Sequence, residues 1–584
     1  MDYLAQSIGD AFPAFDANLS EEEKALLAEG LVDSTQLQRW AAARIKEYKE
    51  RIQSLKSVYN AGAPINRKLP REVLAEIFSH FHPGYDLHDR DIKLLGVCRL
   101  WRHLILRTPA FWANILSRER HMHPRIRDRA LGRLKLLLPL TRAHPLTLWF
   151  QGVPHELVRA LSPHTSRISS LTVGLAKHTD LVSLNDLLQG GMPHLEHLEV
   201  SHCPYMGGLV PPLKISRRKF PLLRSLTVPF EGLGLACLDS DLRSLDVSEC
   251  RCEECRGFVT KGTQRTLSEV IELCPSLRRL KIKNILRAWG PLDRTIALPS
   301  LCELRIEEHR GDLGTFLACL SYPPTCAVHV GTSAHTTIRA CLPPNPTSWP
   351  QLSETDEVRL SMVYGGWTVL TTFARGNQRL RVGVHVKTTA LGTVTEVSRL
   401  FTPSAGITSL TVDPDHYPFM QSSDDPGTAF RAMLAAFPHL THLNIGAYDG
   451  RRVMRLLSET TTAEMRYCPK LEELRFVWYY GDDELYESRE GLGAGRSSSP
   501  SRRHKAGAIV LSVFCDIAVQ MLDRRRAAGK SLKKLFVGVY PEVVTESLYV
   551  DTEGWEPSVL EQRLRRHLTG YEDIVHVFPV KVED

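Results

Sequence analysis

Apolar and polar positions follow two different periods along this chain. Between Asp33 and Tyr59, the residues Ala41, Ile45, Tyr48, Ile52, Leu55 and Tyr59 recur at alternating intervals of four and three. That spacing draws a single stripe along an α-helix. At less than about three heptads, the stripe suits either a short coiled coil joining two chains or an amphipathic helix laid on the next domain. Asn60, Gly62 and Pro64 then break the pattern. We expect a helix within 31–62, preceded over 1–30 by a loosely ordered arm with no clear period.

A second helical pattern occupies 63–118. Leu69-Pro70 opens it, with proline near the first helical position and Glu72 in the first turn, where a carboxylate favours the positive helix end. Val73, Leu74, Ile77, Phe78 and Phe81 supply an apolar side. After the polar run HPGYDLHDRD, helical spacing resumes through Leu94, Leu95, Val97, Cys98, Trp101, Leu104 and Ile105, and Trp112 closes the unit. So small a unit has difficulty enclosing all its apolar side chains, and any left outside mark a partner site.

The runs Leu69-Pro70-x-Glu72-Val73-Leu74-x-Glu76-Ile77-Phe78, Val97-Cys98-Arg99-x-Trp101-Arg102 and Thr108-Pro109-x-Phe111-Trp112 together resemble the F-box motif. The likeness covers about 65–116 and is greatest to the long-loop, F-box-like form of mushroom-forming fungi, which often carries a heptad helix in front. One departure from the short consensus is the long polar stretch His82–Asp91. The resemblance implies a domain that binds a Skp-type adaptor and through it a cullin ubiquitin ligase. Carried over residue by residue, the adaptor-facing set is Leu69, Pro70, Val73, Ile77, Val97, Cys98, Trp101 and Trp112.

Beyond about residue 125 the period changes. MPHLEHLEV at 192–200, FPLLRSLTV at 220–228, CPSLRRLKI at 274–282, LPSLCELRI at 298–306, FPHLTHLNI at 437–445 and CPKLEELRF at 468–476 repeat Pro-x-Leu-x-x-Leu-x-apolar. The Leu-x-x-Leu-x-[Val/Ile] core is a leucine-rich-repeat signature, a short strand with inward leucines, and adjacent copies roughly 19 to 35 residues apart bracket the usual period. Helical segments such as TLSEVIEL and AFRAMLAAF lie between copies. The pattern fades between Cys319 and Ser404 into alternating strands, so a degenerate middle or a kink is expected there. A disordered loop is expected at about 484–508, where Gly, Ser and Arg dominate and Ser497, Ser498 and Ser499 are candidate phosphorylation sites. The segment 555–568 reads as an amphipathic cap, followed by a last strand. The expected class is α/β: a short all-α F-box-like N-terminal domain followed, over 125–584, by an irregular leucine-rich-repeat solenoid.

Composition narrows the function. At 584 residues, 43% hydrophobic and 24% charged, the chain can build a large core. A net charge of +7, spread among 73 basic and 66 acidic residues, gives nucleic-acid binding no strong support. The basic runs at 217–219, 523–526 and 563–566 lack the aromatic interleaving such binding needs. The 13 cysteines, an odd number, and a start without an apolar leader suit an intracellular, reduced protein, cytoplasmic or nuclear, with no membrane span.

Candidate chemistry is sparse. Cys250, Cys252 and Cys255 form C-x-C-x-x-C, a weak metal candidate one ligand short unless Cys203 or Cys274 approaches. His121 and His123 sit among arginines and read as surface. No catalytic motif is present, so we expect no catalytic residue and no cofactor. Target-binding candidates are the residues between leucines, chiefly Glu196, His197, Arg278, Arg279, Thr441 and His442, with no pattern that names a substrate. The expected function is substrate recognition for a Skp-cullin-F-box type ubiquitin ligase. The competing reading is a leucine-rich interaction scaffold that retains an F-box-like fold without joining a ligase.

Overall fold

The structure, a computed structural model, describes residues 20–21, 24–25, 34–80, 93–118, 127–175, 178–201, 213, 215–230, 233, 241–249, 261–286, 289–309, 312–363, 367–385, 390–401, 406–414, 426–446, 450–461, 464–478, 500–539, 562, 564–571 and 573–579. Outside this set lie most of the expected arm, the His82–Asp91 stretch, His121, His123, Cys203, the Cys250 cluster and Ser497, Ser498 and Ser499. The chain forms two compact units, Met1–Gln151 with Arg167–Ser170, and Gly152–Ser166 with Leu171–Asp584.

The first unit is mainly helical: α1 (Ser34–Gly62), α2 (Pro64–Lys68), α3 (Arg71–Ser79), α4 (Lys93–Val97), α5 (Arg99–Arg107), α6 (Pro109–Arg118) and α7 (Arg127–Leu137). Its core gathers Leu74 and Phe78 from α3, Ile105 from α5, and Phe111, Trp112, Ile115 and Leu116 from α6. Polar ties fix the short helices. Cys98 caps α5 by accepting from the Trp101 backbone N–H, and Asn114 Nδ2 on α6 donates to the Ser79 carbonyl at 2.6 Å. The long helix α1 forms where its pattern predicts, yet it is not laid on a neighbouring domain. Ile45, Tyr48, Ile52, Leu55 and Tyr59 are all exposed, Leu55 at 66%.

The second unit is mixed α/β and carries a large, mostly parallel sheet. Its strands are β1 (His197–Ser201), β2 (Ser225–Pro229), β3 (Ser244–Ser248), β4 (Arg279–Lys283), β5 (Glu303–Glu308), β6 (Ala327–His335), β7 (Glu357–Val363), β8 (Trp367–Ala374), β9 (Asn377–His385), β10 (Ser409–Pro414), β11 (His442–Gly446), β12 (Glu473–Trp478), β13 (Lys534–Val539) and β14 (Val575–Pro579). They lie side by side in the order β1-β2-β3-β4-β5-β6-β9-β8-β7-β10-β11-β12-β13-β14, with no closure into a barrel.

The Leu-x-x-Leu copies set this register. Leu198, Leu226, Leu245, Leu280, Leu304 and Val328 pair strand to strand, as do Leu410, Leu443, Leu474, Leu535 and Val575. All are buried, each contributing about 1.5–3 kcal/mol. Where many of the parallel strands begin, one backbone carbonyl accepts from two consecutive N–H groups of the next copy. Glu196 O serves Arg224 and Ser225, Arg224 O serves Arg243 and Ser244, and Arg243 O serves Arg278 and Arg279. The same step recurs from Thr408 O to Thr441 and His442, and from Thr441 O to Glu472 and Glu473. Helices α8 (Lys261–Glu272), α9 (Leu313–Ala318), α10 (Ala390–Ser398) and α11 (Pro426–Ala436) each bury an apolar side, for example Val270, Phe316, Val394 and Phe430.

The stretch where the leucine pattern fades is not empty. Strands β7, β8 and β9 form an antiparallel meander inserted into the parallel order, so that β9 pairs with β6 and β7 with β10. The turn between β8 and β9 is Arg375-Gly376, both at positive φ, which matches the two-residue hairpin geometry that follows strand twist. Asp356 Oδ2 accepts from the Arg375 N–H at 2.7 Å and ties the turn to the start of β7. A second difference is α12 (Pro500–Ala527), which takes in residues 500–508 of the expected loop. Its buried side, Phe514, Cys515, Ile517, Ala518, Met521 and Leu522, anchors the helix, and helical cooperativity carries it back toward Pro500.

Candidate functional site

Helix α3 is apolar on two sides. Leu74 and Phe78 point into the helical core at 1% and 3% exposure, whereas Val73 and Ile77, one position earlier in each turn, stay 42% and 46% exposed. Ile65 on α2 and Val97 at the end of α4 are exposed as well. Leu69 is half-buried and Pro70 exposed, at the bend between α2 and α3. Asn60 Nδ2 donates to the Val97 carbonyl, Asn66 Nδ2 donates to the Asn60 carbonyl at 2.5 Å, and Trp101 Nε1 donates to Asn66 Oδ1 at 2.7 Å. This chain of hydrogen bonds ties the segment before α3 to the α4–α5 corner.

The expected partner set therefore divides. Pro70, Val73, Ile77 and Val97 are on the surface, and Leu69 is partly so. Cys98 is half-buried and acts as a helix cap. Trp101 is half-buried, edge-on to Phe78 with ring centres 5.1 Å apart, so it supports α3 from within. Trp112 does not lie on the surface: it is 5% exposed, donates from Nε1 to the Ile105 carbonyl at 2.9 Å, and sits edge-on to Phe111. Its indole is too large for so small a unit to leave outside once a carbonyl partner is at hand.

In the second unit, the residues between leucines occupy the outward side of the sheet. The side chains of His197, Arg279 and His442 project from the first outward position of β1, β4 and β11, while Glu196, Arg278 and Thr441 provide the carbonyls of the turn ladder. Several strands separate the three pairs, so the structure does not bring them together. His442 is 3.7 Å from Glu473, whose carboxyl is held below its usual range by the hydrogen bond and charge of Lys534.

A constellation not singled out from sequence lies where the parallel strands meet the meander. Register places Arg305, His329 and Arg381 in one row across β5, β6 and β9, with Glu307, Gly331 and Gly383 in the next row. These residues line a cavity of about 530 Å³, together with Lys283, Ser333 and Trp367. Burial would raise the Glu307 pKa, but the hydrogen bonds and charges of Lys283 and Arg305 hold it below the usual carboxylate range. Burial lowers the His329 pKa; Glu303 opposes this, and Arg305 and Arg381 reinforce it. The signal available in sequence was the pair His329-Val330-Gly331 and Arg381-Val382-Gly383, where strand alternation puts charge and glycine on the same side.

Among the described residues no group of His, Cys, Asp and Glu is arranged to hold a metal ion, and no helix is long and apolar enough to cross a membrane. Burial pushes the thiols of Cys326, Cys341, Cys468 and Cys515 up to about 12, which keeps them protonated packing groups. No protein-family model matches the chain, and no curated protein matches it.

Proposed function

We propose that the chain is a substrate-recognition subunit of a Skp-cullin-F-box type ubiquitin ligase. Its helical unit acts as an F-box-like domain and its sheet as an irregular leucine-rich-repeat solenoid that holds a protein target. The observation that carries this reading is the second apolar side of α3. Val73 and Ile77 stay exposed on a helix whose opposite side already fills a core, at positions where the F-box resemblance expects the Skp-type adaptor. Support for the repeat reading comes from the in-register leucine row and the recurring two-donor carbonyl step. The mechanism is proximity. Tethering a target beside the charged ubiquitin carrier raises its effective concentration, and this chain need supply no reacting group. The complex would act inside the cell.

Mixing the purified chain with the Skp-type adaptor of the same source, and comparing wild type with a Leu69→Ala, Pro70→Ala double variant, tests the reading. Tight binding lost in the variant is the expected result. A folded wild-type chain that does not bind would leave a leucine-rich scaffold with no link to a ligase.

A further inference from the structure

The cavity at the junction of β5, β6 and β9 gathers Lys283, Arg305 and Arg381 against the carboxylates of Glu307 and Glu308. Several cations elsewhere on the outward sheet face have a carboxylate close by, Lys281 with Asp246 at 2.8 Å and Lys534 with Glu473 at 3.0 Å across strands and Arg359 with Glu357 along its own strand, whereas Arg279 on β4 has none among the described residues. Within the cavity, Glu307 is shared by Lys283 and by Arg305, whose nitrogens reach it at 2.9 and 2.8 Å. Arg381 has no carboxylate or other hydrogen-bonding partner among the described residues. Glu308, the other carboxylate of the lining, accepts from the Ile285 and Leu286 N–H groups, so the positive charge without a carboxylate partner is at the meander end, beside Gly383 and Trp367.

Shape and donors agree with the charge. Apart from chain neighbours, a Cβ built on Gly331 would come no nearer than 3.9 Å to another atom, and one on Gly383 no nearer than 4.0 Å, so the two glycines leave a floor that a side chain would fill. Gln378 Nε2 approaches His329 Nδ1 at 3.4 Å; when the amide donates there, the neutral ring carries its proton on Nε2, where it is a donor. The Trp367 indole, edge-on to His385 at 5.7 Å and 37% exposed, offers an apolar wall. A guanidinium fork meets a carboxylate or phosphate in two parallel hydrogen bonds, and the volume lies within the range of ligand sites.

We propose that this cavity is an oxyanion site that receives a carboxylate or phosphate carried on a side chain of a protein target. Arg381 is its principal cation, His329 a second donor, and Trp367 packs on the carbon skeleton next to the anion. Glutamate or aspartate and a phosphorylated residue share this chemistry, and the site takes the one whose geometry fits the Arg381 fork better. The assignment of the ligand to a protein rests on the adaptor reading; the oxyanion preference does not.

Phenylacetate and phenyl phosphate serve as probes, with 2-phenylethanol as the neutral counterpart, titrated against the full chain by ligand-observed NMR at low and at 0.3 M salt (about a threefold shorter Debye length than at 0.03 M). Both anions are expected to bind at least about fivefold more tightly than the alcohol and to weaken in high salt, and the tighter of the two identifies the source. Arg381→Gln, which removes charge, and Gly383→Val, which fills space and spares every charge, should each lose about tenfold. Lys534→Gln, on the distant strand β13, should not change the affinity. Equal affinity for the alcohol, or unchanged binding in folded Arg381→Gln and Gly383→Val chains, would overturn the site. Adaptor binding is measured separately, so either result stands without the other.

Discussion

Helix α3 makes a sharp test possible because its two apolar sides differ by a single residue step. Leu74→Ala removes a side chain that is 1% exposed and should open a cavity in the helical core. Such truncations cost about 2–5 kcal/mol, a large share of what a small helical unit can hold. Val73→Ala with Ile77→Ala removes side chains that are 42% and 46% exposed. If an adaptor covers that remaining surface, and full burial of such a side chain is worth about 1.5–3 kcal/mol, the pair contributes about 2 kcal/mol to binding. That is roughly a thirtyfold loss in affinity. The assay pairs calorimetric titration against the Skp-type adaptor with hydrogen exchange over 71–116. The double variant should bind about thirtyfold more weakly with exchange unchanged, and Leu74→Ala should exchange faster throughout the unit. If Val73→Ala, Ile77→Ala weakens protection as Leu74→Ala does, or leaves adaptor affinity within twofold of wild type, the partner role of that side is refuted.

Other perturbations follow from single contacts. Arg525 is fully buried on α12 and donates to the carbonyls of Cys468, Leu471 and Lys530, so Arg525→Met, which keeps the stem but leaves those carbonyls without their donor, should cost about 3 kcal/mol in urea unfolding of the second unit. The His329 pKa is lowered by burial, so between its unfolded value of about 6.5 and its lower folded value the unfolded chain binds a proton that the folded chain does not; stability should fall as pH drops through that window, and His329→Gln should flatten that part of the melting-temperature profile. On α1 the exposed stripe is flanked by Arg44, Lys49, Arg51 and Lys56, like charges that would face one another in a self-paired coiled coil, so sedimentation at micromolar concentration should show no dimer that Leu55→Lys abolishes.

What could be read in advance depended on how local its cause was. A Leu-x-x-Leu copy states its own strand, its buried side and its register against any similar copy, which is why Leu226, Leu245 and Leu280 fall into one row although 19 and 35 residues separate them. The stripe of α1 was equally plain, but whether anything covers it is a property of the rest of the chain, and there the packing alternative failed. Trp112 shows the same limit. Its place after Pro109 and Phe111 was legible, while its direction depended on the Ile105 carbonyl that takes its N–H.

The cavity lay furthest from view for a related reason. Arg305, His329 and Arg381 are neighbours only because the chain runs past β6, lays down β7, and returns through β8 to place β9 beside β6. Had the three strands followed in chain order, β7 would pair with β6, and Arg359, already joined to Glu357, would replace Arg381 next to His329. The reversal thus brings an unpaired cation to a glycine floor in place of a paired one. Departure from the repeat is therefore where the sheet acquires an individual chemical surface. The regular copies before and after it set half-buried Ser225, Ser244, Thr411 and Asn444 beside cross-strand ion pairs such as Lys281 with Asp246 and Lys534 with Glu473, so discrimination between targets should concentrate at the meander.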